Sequence, residues 1–197
     1  MRGRVFITAA TAAVALAVLP LDGGQGGSVT GTITAKGLRS NADVVVSLEA
    51  PGLAVTPPKE PVEMDQKGMQ FTPHVLPVVR GTTVRFLNSD PTPHNVFSPE
   101  AKYNLGTWAQ GQHRDHTFDK PGVYTQLCRV HPEMEGFVVV LETPYFAVTN
   151  KAGSFAIEKV PAGKYTLVAW SERLKEGRQS VTVTGGEPTK VNLTLTR

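Results

Sequence analysis

The chain has 197 residues, 40% of them hydrophobic and 7% aromatic, which allows one large or two small folded domains and excludes a disordered chain. Its formal net charge is +3, with Lys and Arg scattered and no basic run, so a nucleic-acid partner is not expected. A single cysteine, Cys128, excludes a disulfide scaffold.

At the start, Arg2 and Arg4 precede an uncharged run from Val5 to Leu21, and glycines cluster at 23–27. Residues 1–27 therefore read as an export signal, which predicts a periplasmic or extracellular protein. The run is close to the shortest length that spans a bilayer and lacks a clean small-x-small cleavage site, so an uncleaved N-terminal anchor is the alternative; only then would the chain touch a membrane. In an oxidising compartment cysteines normally pair, and a lone thiol there is either a small buried apolar residue or has a chemical use.

After residue 27 the apolar residues recur every second position and no segment has a helical stripe, so the fold class is all-β. In residues 28–36, Val29, Gly31, Ile33 and Ala35 alternate with Thr30, Thr32, Thr34 and Lys36, and Val44, Val46 and Leu48 continue the pattern in 44–48. Residues 51–61 hold four prolines, which stiffen the chain and mark a boundary. Strands follow at 83–87, 123–128 and 136–141, then a second boundary near Thr143-Pro144-Tyr145, then strands at 154–157, 164–170, 179–183 and 191–195. Turn residues at 88–91, 119–122, 150–153, 161–163 and 185–186 separate them, the punctuation of a sandwich or barrel.

The outer segments resemble two halves of one carboxypeptidase-regulatory-like β-sandwich, a transthyretin-like fold. The first half is Gly31-Thr32-Ile33 with residues 42–48, and the second is residues 148–157 and 160–167. The resemblance implies a discontinuous domain of residues 28–59 plus 143–197, with residues 60–142 inserted as a second domain. A tandem arrangement is the alternative, but only two strands precede the first boundary, too few to close a core. Trp170, Ser171, Glu172 and Arg173 could form a contact patch there, although core and loop roles are the simpler expectation.

The sequence Cys128-Arg129-Val130-His131-Pro132-Glu133-Met134 places a thiolate, an imidazole and a thioether in one tight loop at a strand end. Such soft and borderline donors suit copper better than calcium or magnesium. Zinc competes, but thioether is not among its common ligands. A second imidazole, His94, follows the strand at 83–87 in the segment 88–96. Two imidazoles and a thiolate with a weak axial thioether are the type 1 (blue) copper set, whose mixed preferences let one site hold both oxidation states. One-electron redox work is the expected use, rather than Lewis-acid chemistry.

With these residues in place, residues 63–141 resemble the cupredoxins, the family of plastocyanin and amicyanin. The resemblance rests on Gly81-Thr82-Thr83-Val84, Asn88, His94-Asn95-Val96, Thr117-Phe118, Pro121-Gly122-Val123-Tyr124 and the Cys-x-x-His-x-x-Met loop before Gly136. Residues 71–77 are also similar to bacterial proteins called methylamine-utilisation or plastocyanin-like. The resemblance implies a Greek-key β-sandwich binding one type 1 copper ion, with His94, Cys128, His131 and Met134 as ligands. It also implies that Asn95 braces the cysteine loop by hydrogen bonding; the other reading of Asn95 is a turn residue.

Other residues carry weaker expectations. His74 is read as a hydrogen-bonded structural histidine, with a metal contact as the alternative. His113 and His116 are read as part of a solvated loop leading into a strand, and Met64 and Met69 as core fillers. The chain is not expected to be an enzyme, because Leu127 and Arg129 flank Cys128 where multicopper enzymes commonly place further histidine ligands. The functional expectation is an exported one-electron carrier meeting a transient redox partner at an edge formed by Pro93, His131 and Pro132. Copper carriage or storage without electron transfer is the alternative, and a scaffolding role for the outer sandwich a further one.

Overall fold

A computed structural model describes residues 26–197; the expected export signal lies outside this range except for Gly26 and Gly27. The described chain is all-β. Its strands are β1 (Gly27–Ala35), β2 (Val45–Glu49), β3 (Val62–Gln66), β4 (Phe71–Thr72), β5 (Val75–Val79), β6 (Thr82–Asn88), β7 (His94–Ser98) and β8 (Tyr103–Trp108). They continue with β9 (His113–Phe118), β10 (Gly122–Leu127), β11 (Glu135–Leu141), β12 (Phe146–Val148), β13 (Ser154–Val160), β14 (Gly163–Ser171), β15 (Leu174–Val183) and β16 (Thr189–Leu195).

These strands form four sheets, ordered β13-β1-β16, β12-β2-β14-β15, β5-β11-β10-β7-β8 and β4-β3-β6-β9. The first two sheets share one core, built on Val29, Ile33, Val46, Leu48, Phe155 and Leu167. The other two share a second core, on Met64, Phe86, Val96, Trp108, Cys128 and Val138. Alternation explains the division, because a strand with one buried face places every second side chain inward. The pattern along β6, Thr82 to Asn88, alternates buried and half-buried at every step.

A third, smaller cluster of Val45, Val75, Phe137 and Val139, flanked by Val123, Leu141 and Trp170, packs the outer face of β2 and β14 on that of β5, β10 and β11. The Phe137 and Trp170 rings meet with centroids 5.6 Å apart. Beside them, His74 Nε2 lies 3.0 Å from Glu172 Oε2. The segment 170–173 thus faces the half of the chain that carries β3 to β11 through Trp170 and Glu172.

Two expectations need correction. Met69 is not a core filler: it is 52% exposed, because its positive φ of 56° places it in the turn between β3 and β4. The stretch around His113 and His116 is not a loop but strand β9, paired with β6 from Thr82↔Phe118 to Leu87↔His113. As an edge strand it buries little, so its polar sequence hides its pairing. His116 is half-buried and stacks on Tyr103 with ring centroids 4.0 Å apart. Burial there lowers its pKa despite the nearby Asp119 carboxylate. Met64, by contrast, is fully buried as expected.

Candidate metal centre

The centre is assembled where three strand ends meet. β6 ends at Asn88, whose Nδ2 donates to the carbonyls of Thr92 and Trp108 at 3.0 Å each, while its Oδ1 accepts the Asp90 N–H at 2.9 Å. This short loop delivers His94 as the first residue of β7, fully buried. β10 ends at Leu127, paired with Phe97 of β7, so Cys128 emerges beside Asn95. The Asn95 N–H points at Cys128 Sγ, 3.4 Å away. A turn then closes with Met134 N–H donating to His131 O at 3.0 Å.

The side chains of His94, Cys128 and His131 converge, their candidate ligand atoms all lying within 4.8 Å of one another. They are the only such group of His, Cys, Asp or Glu among the described residues. The two imidazoles face each other through Nδ1, 3.0 Å apart, with ring planes inclined at 64°. Met134 is buried in the same core cluster as Cys128. Cys128 is buried and His131 half-buried, so one imidazole edge reaches the surface while the sulfur does not.

Asn95 is buried. Its Oδ1 accepts the Arg129 N–H at 3.3 Å, immediately after Cys128, and its Nδ2 donates to Asn104 Oδ1 at 2.8 Å and Gly106 O at 2.7 Å. The cysteine loop is thereby tied to β8. His74 lies apart from the group and pairs with Glu172, while His113 and His116 sit on β9.

Asp90, which sequence reasoning missed, lies behind His94, its Oδ2 2.8 Å from His94 Nε2. Burial alone would raise this carboxyl, but the Met69 and Gly68 N–H donors and the His94 ring together hold it below the usual carboxylate range. Its position four residues before His94 is the only signal the sequence offers.

The donor set fits copper. Two imidazole nitrogens and a sulfur converge, and Met134 belongs to the same buried cluster as Cys128, a set softer than calcium or magnesium sites use and unlike common structural zinc sets. Residues 59–141 match the family of copper binding proteins, plastocyanin/azurin family. This part of the chain resembles the copper-binding cupredoxins. Copper is the cofactor of that family, and carriage of electrons its general use. Residues 133–196 match the carboxypeptidase regulatory-like domain.

The chain is similar to amicyanin of Paracoccus versutus, 27% identical over 113 residues that cover 55% of this chain and 86% of that protein. Among solved structures, a purple cupredoxin from Nitrosopumilus maritimus is 28% identical, with a TM-score of 0.38 over 41% of this chain and 99% of its own. A copper-containing nitrite reductase from Thermus scotoductus is 30% identical, with a TM-score of 0.41 over 48% of this chain but only 25% of its own.

Proposed function

We propose that the protein is an exported type 1 copper protein that carries single electrons between redox partners, and that His94, Cys128, His131 and Met134 hold the metal. The observation that carries this reading is the convergence of the His94, Cys128 and His131 donor atoms. Copper bound there would supply a one-electron couple. The chain's own contribution is to hold the ligands: β7 and the Asn95 brace fix His94 and Cys128, and a fixed ligand set reduces the reorganisation that electron exchange requires. Burial of Cys128 keeps water from the sulfur, while half-buried His131 offers the shortest way out.

Addition of Cu(II) to the purified chain is expected to produce an intense sulfur-to-copper charge-transfer band and the matching paramagnetic signal, both absent in Cys128→Ser. A colourless parent would sink the assignment.

The partner is expected at the edge around His131, where Pro93 and Pro132 are exposed and Val130 is 46% exposed. Electron-transfer encounters use small interfaces and separate quickly. Val130→Glu and Pro132→Glu should slow electron exchange with an external redox protein by about tenfold, the size of a ~1.4 kcal/mol loss in encounter stability, with the colour unchanged. Exchange at the parent rate would remove the docking assignment.

The domain arrangement belongs to the same proposal: residues 28–59 and 143–197 form one discontinuous sandwich, and residues 60–142 are inserted in it. Pairing of β1 with β13 and β16, and of β2 with β12 and β14, supports that reading over the tandem one.

A further inference from the structure

Asp90 is 9% exposed, and its carboxylate is surrounded by donors. Oδ1 accepts the Gly68 N–H at 2.7 Å; Oδ2 accepts the Met69 N–H at 2.9 Å and lies 2.8 Å from His94 Nε2. Gly68 and Met69 have φ of 65° and 56°, so two successive N–H groups of the β3–β4 turn converge on one anion, a small backbone concavity for negative charge. Two backbone N–H donors favour the ionised carboxylate, whose oxygens can only accept hydrogen bonds. The group facing Oδ2 from His94 must then be a donor, which places the imidazole proton on Nε2. In neutral His94 the lone pair is left on Nδ1, the atom that faces His131 Nδ1.

We propose that Asp90 is a positioning residue: it locks His94 in the Nε2–H tautomer and orientation that present Nδ1 to the metal, and its charge makes that imidazole a stronger donor. The proposal rests on the reading of His94 as a copper ligand. A carboxylate behind a ligating imidazole fixes the ring and raises its basicity, and a negative charge near the metal favours the more highly charged oxidised ion. Through Gly68 and Met69 the position of His94 is also tied to the β3–β4 turn, which supplies no ligand itself.

The test uses the full chain as parent, Asp90→Asn and Asp90→Ala. In the copper-free parent, nitrogen resonances of the His94 ring should report the Nε2–H form alone. Asp90→Asn keeps shape but lacks one acceptor, so the Nδ1–H form should become populated. Cu(II) affinity in competition with a chelator should then fall by about 10- to 100-fold and more than Cu(I) affinity, so that the reduction potential rises while the sulfur-to-copper band persists. Asp90→Ala should shift affinity and potential the same way, with an added stability loss from the stranded Gly68 and Met69 N–H groups. An Nδ1–H form in the parent, or unchanged affinity and potential in Asp90→Asn, would overturn the proposal. A parent without the band would instead refute the ligand reading, and its ring tautomer would still decide whether Asp90 orients His94.

Discussion

Gly31→Val is expected to unfold the outer sandwich while leaving the copper-binding core intact. Gly31 lies on β1, the central strand of its sheet, opposite Phe155 on one side and Val191 on the other. A Cβ there would sit 1.7 Å from the Val191 carbonyl oxygen and 2.7 Å from its carbonyl carbon. The obstacle is backbone, which no rotamer change can remove. Overpacking costs typically 1–3 kcal/mol and sometimes more; with a ladder that must separate, about 3 kcal/mol or above is expected, a large part of the roughly 5–15 kcal/mol that holds a domain folded. Urea unfolding followed by far-ultraviolet dichroism should show a new early transition, whereas the sulfur-to-copper band should bleach near the parent midpoint. A single unshifted transition would mean that β1 is not seated between β13 and β16.

The contrast between the two cores also explains what could be read from the sequence. β1 was legible because one face is buried and its threonines face outward. β2 was legible by the same alternation, since Val44, Val46 and Leu48 face the core, although Val45 is buried on the other face; in β11 Phe137-Val138-Val139-Val140 form a continuous apolar run because both faces are covered. Val138 and Val140 belong to the copper-binding core, while Phe137 and Val139 face Val45. The missed strands were β3, β4, β5, β7, β8, β9 and β12; of these only β3 and β7 are interior to their sheets. β5 contains Pro77, acceptable at the rim of its sheet, and β8 and β9 also lie at rims with little to bury.

The candidate site was legible to the extent that it is local. Cys128, His131 and Met134 announce themselves by spacing, and His94 by the loop that carries it. Asp90 gave no comparable signal, since only the pairing of β3 with β6, which sets Gln66 beside Asn88, brings the Gly68 and Met69 N–H groups to its carboxylate. His74 was recognisable as a hydrogen-bonding residue, but its partner Glu172 is distant in sequence by 98 positions and could not be named.

A fragment of residues 60–142 is expected to fold and give the parent copper spectrum, yet to self-associate. Strands β3 to β11 lie within it, and so does every buried residue of their common core. What it loses is the cover over Val75, Phe137 and Val139, which pack against Val45 and Trp170 in the whole chain. Each large apolar side chain returned to water forfeits roughly 1.5–3 kcal/mol, and a contiguous apolar patch on a sheet face promotes association. Sedimentation should show concentration-dependent dimers that Phe137→Ser with Val139→Thr suppresses without loss of colour. Residues 143–197 alone should remain unfolded, because β12 pairs only with β2, and β1 is the strand that joins β13 to β16. Dichroism of a stably folded 143–197 fragment would favour the tandem arrangement, and a copper-binding fragment that stayed monomeric at high concentration would mean that the Phe137 face has no need of cover.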